Sequence, residues 1–217
     1  MLWAAPAAAH FAPSRDVNNR AIKITVLPDG VRVAYIVFFG ERPGAGERRR
    51  MDADGNGTLD RDEAAAFGER LRGEIADRVT VVVDGTPGRE WSVSDVGLGA
   101  PAVTGGAFSV DLLLRVPLGD SQPHTLQFED RLALPAPGDA HLRVDESPGV
   151  SLVSADKTAL DFAAGEQPTV RIAFTVDPTL RPPRRSSWLP IGAAVLGGLA
   201  ALTAALVLRQ RRRRITR

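Results

Sequence analysis

The chain has no cysteine, and of its 27 basic residues only Lys23 and Lys157 are lysines. Without cysteine there is no disulfide scaffold, no thiolate zinc site and no cysteine nucleophile. Histidine is scarce too: His10, His124 and His141 are the three in 217 residues. Aromatic residues make up 6% of the chain. An excess of either charge is also missing, since the net charge is +1, but this is the sum of unlike parts. Residues 188–217 carry six arginines and no acid, giving +6, which leaves 21 basic and 26 acidic residues in 1–187, giving −5. A nucleic-acid-binding body should be basic on its folded surface, so an acidic body argues against a nucleic-acid partner. The hydrophobic content of 44% is ordinary for a globular chain and excludes wholesale disorder.

One long uncharged run is present, over residues 188–208. A helix needs about 20 apolar residues to cross the hydrocarbon core, so its length fits one span. Trp188 stands where an interfacial aromatic anchor would, and Arg209 begins the stop. A buried core helix is the plainer alternative, but such helices rarely run this long uncharged into an arginine cluster. The sequence therefore predicts a C-terminal transmembrane helix over 188–208. Arginines after the span place a basic tail, 209–217, in the cytoplasm, against anionic lipids. The expected location is the cell membrane, single-pass, with the N-terminal domain extracytoplasmic. Export needs a signal, and residues 1–9 end in a small-residue Ala7-x-Ala9 pattern. They are read as a signal-peptide remnant, against the alternative of an unstructured alanine-rich terminus. Residues 179–187, with Pro182 and Pro183, read as an extended stalk. Ala193, Gly197, Ala201 and Ala205 recur every four residues, a small-residue face through which the span could self-associate.

Between these ends, residues 10–178 read as a mainly β body. Residues 21–27 and 31–39 are rich in β-branched and aromatic side chains around Asp29-Gly30, a hairpin signal. Similar runs follow at 79–83, 108–116, 124–129, 141–145 and 169–176. Val110, Leu112 and Leu114 alternate with Asp111, Leu113 and Arg115, as in a half-buried strand. Several short strands at this spacing predict an antiparallel β-sandwich.

The sharpest motif is residues 52–63, Asp-Ala-Asp-Gly-Asn-Gly-Thr-Leu-Asp-Arg-Asp-Glu. Set on the twelve-residue calcium loop of an EF-hand, Asp52, Asp54 and Asn56 fall at places one, three and five. Gly57 falls at six, Thr58 at seven, Asp60 at nine and Glu63 at twelve. Calcium is a hard cation that takes six to eight oxygens at about 2.3–2.6 Å. Alternate side chains converge on it, and the sharp turn after Asn56 needs a glycine. Thr58 would supply its carbonyl, Asp60 would act directly or through water, and Glu63 would close the shell with both oxygens. Leu59 would point away and anchor the loop in the body. The plain alternative is an acidic surface loop with Asp60 to Glu63 capping a helix. It explains one or two acids but not seven matched places. An all-protein oxygen cage with a bidentate Glu favours Ca²⁺ over Mg²⁺.

Downstream, a helix is expected over 63–79, with Phe67, Leu71, Ile75 and Val79 on one face. Gly68 and Gly73 weaken it. Upstream, residues 38–46 read as a strand end and a loop, with at most one helical turn at 47–51. The inserted unit is therefore expected to be strand–EF-hand loop–helix. No second loop matches, so the cooperative opening of paired hands is not expected, and calcium has a mainly structural part. Weaker candidates are few. His10 could chelate a metal with a free amino terminus, but a disordered terminus is the plainer reading. His124 and His141 read as structural. Asp84 with Glu90, or Glu129 with Asp130, could pose as acid–base pairs, but read as solvated strand and turn residues. Nothing points to an enzyme.

The order of these features resembles a bacterial family. A mature start at His10, the strand Val31-x-Val33-x-Tyr35, the Asp-x-Asp-Gly-Asn-Gly loop, an arginine-rich helix and Val81-x-Val83-Asp84-Gly85 are similar to an exported EF-hand-bearing domain. That domain is found beside or fused to nickel/cobalt-type permeases. The resemblance covers residues 10–130, most clearly 31–86. It implies an accessory subunit near a metal-ion permease, with calcium structural. The sequence as a whole predicts an antiparallel β-sandwich with an inserted strand–EF-hand loop–helix unit and one C-terminal transmembrane helix. The function expected is calcium binding by an exported domain that mediates protein interaction.

Overall fold

Residues 14–120, 122–154 and 158–180 are described in the structure, a computed structural model. Along the chain they form β1 (Asn18–Leu27), β2 (Gly30–Phe39), α1 (Glu41–Met51), α2 (Arg61–Arg78), β3 (Val79–Val83), β4 (Thr86–Gly88) and β5 (Ser92–Gly97). Then follow β6 (Phe108–Pro117), β7 (His124–Asp130), β8 (Pro137–Glu146), β9 (Val150–Ser154), β10 (Ala159–Phe162) and β11 (Thr169–Val176). The strands make a six-stranded sheet in the order β10-β8-β1-β2-β6-β5 and a five-stranded sheet in the order β4-β3-β7-β11-β9. Period-two alternation sends Ile22, Ile24 and Val26 of β1, Val31, Val33, Tyr35 and Val37 of β2, and Val110, Leu112 and Leu114 of β6 to one side. They share a core with Val81, Leu126, Phe128, Ile172 and Phe174 of the second sheet.

Three expectations are corrected. The sandwich is not wholly antiparallel, because β1 pairs in parallel with β8 from Arg20↔Ala140 to Val26↔Glu146. The six-stranded sheet is thus mixed, while every pairing in the other is antiparallel. Alternation fixes which face of a strand is buried and says nothing about the direction of its neighbour. Second, among the described residues no helix is long and apolar enough to cross a membrane. The longest, α2, carries charged residues along its whole length. The run 188–208, expected to be a transmembrane helix, lies outside the described residues, as do residues 1–9 and 209–217. Of the expected stalk, Thr179 and Leu180 end a 3-10 turn, Pro178–Leu180; the rest lies outside. Third, the segment before the calcium-type loop is a helix of 11 residues, α1, so the unit is helix–loop–helix. Pro43 sits in the first turn of α1, where a missing N–H costs nothing. Gly44 lets the helix approach the body: a Cβ there would lie 3.1 Å from the Gly106 carbonyl and 3.4 Å from the Phe108 ring. Packing overrides a poor local propensity.

The helical pair forms the crossover from the first sheet to the second, since α1 follows β2 and α2 runs directly into β3. Phe39, Phe67 and Phe108 hold it to the end of β2 and β6. Phe39 stacks on Phe108 at 4.5 Å between centroids, and Phe67 meets both edge-on at 5.6 Å. Gly68 of α2 lies against β5, where a Cβ would sit 3.0–3.1 Å from Val96 and Val93. The glycine that weakens the isolated helix therefore permits its docking.

Candidate metal centre

The loop between α1 and α2 is shaped by its own side chains. The Gly57 N–H donates to Asp52 Oδ2 at 3.1 Å, closing the turn that brings residue six back to residue one. Gly57 holds φ +80°, a left-handed value that glycine adopts without strain. Asp54 Oδ1 accepts from the Asn56 N–H at 3.0 Å, and Asn56 Oδ1 accepts from the Thr58 N–H at 2.7 Å. Glu63 reaches back across the loop: Oε1 accepts from the Ala53 N–H at 2.7 Å and Oε2 from the Asp60 N–H at 3.1 Å. Asp60 in turn caps α2, accepting from the Glu63 N–H at 2.9 Å.

Of the six expected ligand residues, the fold brings three together. Carboxylate oxygens of Asp52, Asp54 and Glu63 lie within 4.8 Å of one another. Two oxygens on one calcium ion, each at about 2.4 Å, can be no farther apart than about 4.8 Å, so the spacing suits a shared cation. Asn56 turns its amide to Asp54 Oδ2, at 2.7 Å, and Thr58 is exposed. Asp60 serves as the helix cap rather than joining the three. The capping reading thus accounts for Asp60 and for part of what Glu63 does. It leaves Asp52 unexplained. Asp52 Oδ1 is buried and has no donor, one of two such side-chain atoms among the described residues, the other being Trp91 Nε1. A buried carboxylate oxygen without a donor is costly, and a cation would satisfy it. The loop holds five acids and Arg61, a net −4, which repels itself unless neutralised. The donor set of carboxylate and carbonyl oxygens, without nitrogen or sulfur, fits a hard ion. Leu59, at the loop's apolar place, is 4% exposed and belongs to the core.

A second hand usually backs the first, and none is present among the described residues. Instead the Leu59 N–H donates to the Pro101 carbonyl at 2.7 Å and the Val103 N–H to the Gly57 carbonyl at 3.2 Å. Thr58 and Ala102 form an antiparallel bridge. The segment between β5 and β6 therefore takes up the edge of the loop. Sequence reading missed this, because a glycine-rich connector carries no strand signal.

Two other polar groups behave differently from expectation. Asp130, read as a solvated turn residue, is fully buried. Its Oδ2 accepts from Arg20 Nη1 and from the Tyr35 hydroxyl, each at 2.7 Å, and its Oδ1 from the Leu132 N–H at 2.8 Å. Burial raises its pKa despite the Arg20 charge, and burial together with Asp130 raises that of Tyr35. Asp84 adopts φ +50° and accepts from the Thr125 and Gly119 N–H groups, with His124 Nδ1 at 2.7 Å from its Oδ2. Burial pushes Asp84 up, but these hydrogen bonds together with the His124 charge hold it below the usual carboxylate range. His124 is buried, and His141 pairs with Asp161 at 2.5 Å. Neither pair lies in the metal-type cluster.

Compared with known proteins, the chain matches no family model and no curated protein.

Proposed function

We propose that this chain is a calcium-binding module in which one hand-type loop fixes the helical crossover of a β-sandwich. The observation that carries the reading is the convergence of Asp52, Asp54 and Glu63 within 4.8 Å, at places one, three and twelve of a loop whose spacing suits calcium. The buried, donor-less Asp52 Oδ1 supports it. Asp52, Asp54 and Glu63 would hold the ion, with Asn56, the Thr58 carbonyl and Asp60 completing the shell. A bound divalent cation supplies neutralisation of the loop's charge. The protein's own residues supply the linkage, because Asp52 follows α1 and Glu63 lies in the first turn of α2. Occupancy therefore ties the two helices at their shared end. The role is structural rather than signalling, since the sequence offers one loop where sensors use pairs. On the outer side of a cell membrane, where the sequence places the body, modules of this kind bind with Kd about 10⁻⁴–10⁻³ M.

Calorimetric titration of the full chain with calcium, beside its Glu63→Gln variant, tests the reading. Saturable binding that Glu63→Gln abolishes is the expected result. Absence of binding at millimolar calcium, or equal binding by both proteins, overturns it.

A further inference from the structure

Arg48 of α1 is wholly buried, and no carboxylate pairs with it among the described residues. A guanidinium has five N–H donors in a fixed plane, and backbone carbonyls meet all five. Nε donates to Gly106 at 3.1 Å, Nη1 to Ala100 at 2.8 Å and to Ala102 at 3.1 Å, and Nη2 to Leu98 and, at 3.4 Å, to Ala107. All five belong to residues 98–107, the connector between β5 and β6. Its far edge is the segment that bridges the calcium-type loop at Gly57, Thr58 and Leu59. One side chain thus gathers a stretch with no helix or strand of its own into a fixed edge, and that edge supports the backbone where the Thr58 carbonyl would meet the ion.

We infer that residues 98–107 take the place of a second hand, and that Arg48 is the positioning residue that holds them ready for calcium. The inference rests on the reading of residues 52–63 as a calcium loop. Its physical content is preorganisation. With Arg48 in place, the entropy of fixing residues 57–59 is lost on folding, before the ion arrives. Without it, five carbonyls lose the Arg48 donor, Ala102 alone keeping the Gly105 N–H at 2.8 Å, the connector relaxes, and ordering of the loop edge falls to the binding step.

Arg48→Met removes the donors. Gly105→Ala leaves Arg48 intact and disturbs its seat, since a Cβ there would lie 2.8 Å from the Ala102 carbonyl oxygen and 3.0 Å from Arg48 Nη1. Groups that orient metal ligands from behind typically contribute 10–100-fold to affinity. Calcium titration of the full chain should therefore show Kd raised on the order of tenfold in either variant. Hydrogen exchange at the Leu59 and Val103 amides separates positioning from mere stability. In the wild type, calcium should slow exchange at both, and in the variants this calcium-dependent slowing should shrink. A purely structural Arg48 would change protection with and without calcium alike and leave the calcium increment intact. If Arg48→Met does not fold, Gly105→Ala decides. A folded variant that binds calcium as tightly as the wild type, with the same increment, overturns this inference alone. A wild type that binds no calcium at millimolar concentration overturns the loop reading and this inference with it.

Discussion

Arg20 and Arg48 are both buried guanidiniums, and the fold satisfies them in opposite ways. Arg20 of β1 meets a carboxylate: Asp130 at the end of β7 takes its charge at 2.7 Å and also accepts from Tyr35. That trio links the two sheets through side chains. Arg48 donates to backbone carbonyls of one connector and lies over the Phe108 ring at 5.4 Å, with no carboxylate hydrogen-bonded to it among the described residues. The first arrangement compensates charge with charge and leaves the strands to make their own ladders. The second uses a charge to order backbone that has no ladder. A buried ion pair depends on both partners being present and ionised, whereas a carbonyl-held arginine depends on the shape of the connector around it.

The largest expected effect breaks the first arrangement. Asp130→Ala leaves the Arg20 charge buried without a counter-ion, with only the Leu132 carbonyl at 3.3 Å still accepting from it, and the Tyr35 hydroxyl without its acceptor. Loss of one member of a buried pair costs about 3–5 kcal/mol, to be read from urea unfolding of the full chain. The double variant Arg20→Met with Asp130→Leu should recover most of that loss, because apolar groups of similar size can replace a buried pair. A double variant as unstable as Asp130→Ala would mean that the trio contributes something besides charge compensation.

The comparison sharpens when each arginine is neutralised in turn. Arg20→Met leaves Asp130 buried, and its carboxyl, already raised by burial, rises further without the cation. A carboxyl whose folded pKa exceeds its unfolded value of about 3.9 binds protons preferentially in the folded state. Stability of this variant should therefore fall as pH rises from about 4 through the folded pKa, and return on acidification. Arg48→Met leaves no buried carboxylate behind, so its loss relative to the wild type should stay level across the same range. Parallel pH profiles for the two variants would remove the distinction.

Calcium should add a smaller increment on the Arg48 side only. A ligand at tenfold excess over its Kd stabilises the folded state by about 1.4 kcal/mol. Thermal unfolding with and without calcium should show such a gain in the wild type and in Asp130→Ala, and none in Glu63→Gln.

How much of this could be read from the chain follows from the range of each interaction. Strands such as β6 and β11 announce themselves because alternation is a local signal. The calcium-type loop is equally local: its ligand places lie within twelve consecutive residues, and the structure brings together those at the ends and at place three. Of the helix α1 only the last turn, 47–51, is legible, because Pro43, Gly44 and Gly46 read as loop, and the Phe108 and Gly106 surfaces reveal why a helix with glycine docks there. Asp130 read as a turn residue because its partners, Arg20 and Tyr35, are 110 and 95 positions away. The parallel pairing of β1 with β8 has no local trace at all. The expectation of a membrane-crossing helix over 188–208 rests on composition, and those residues lie outside the described ones.

Asp84 offers the smallest and cleanest test, because its pair lies in the second sheet and obeys the reverse pH rule from Asp130. It sits at φ +50°, a value that asparagine tolerates, so Asp84→Asn should keep the turn between β3 and β4. What it loses is charge and one acceptor atom: Thr125 donates to one carboxylate oxygen and Gly119 and His124 meet the other, whereas an amide keeps a single oxygen to accept. Losing one hydrogen bond at this partly exposed site and weakening the charge-assisted ones that remain should cost about 1 kcal/mol near pH 7. Because the folded pKa of Asp84 is depressed, its contribution is present above the unfolded value of about 3.9 and is lost as pH falls through the folded one. The gap between wild type and Asp84→Asn should therefore close as pH drops below about 4, while the gap between wild type and Arg20→Met closes from higher pH. If both gaps closed over the same interval, burial rather than hydrogen bonding would govern Asp84, and the two sheets would not differ in how they hold a carboxylate.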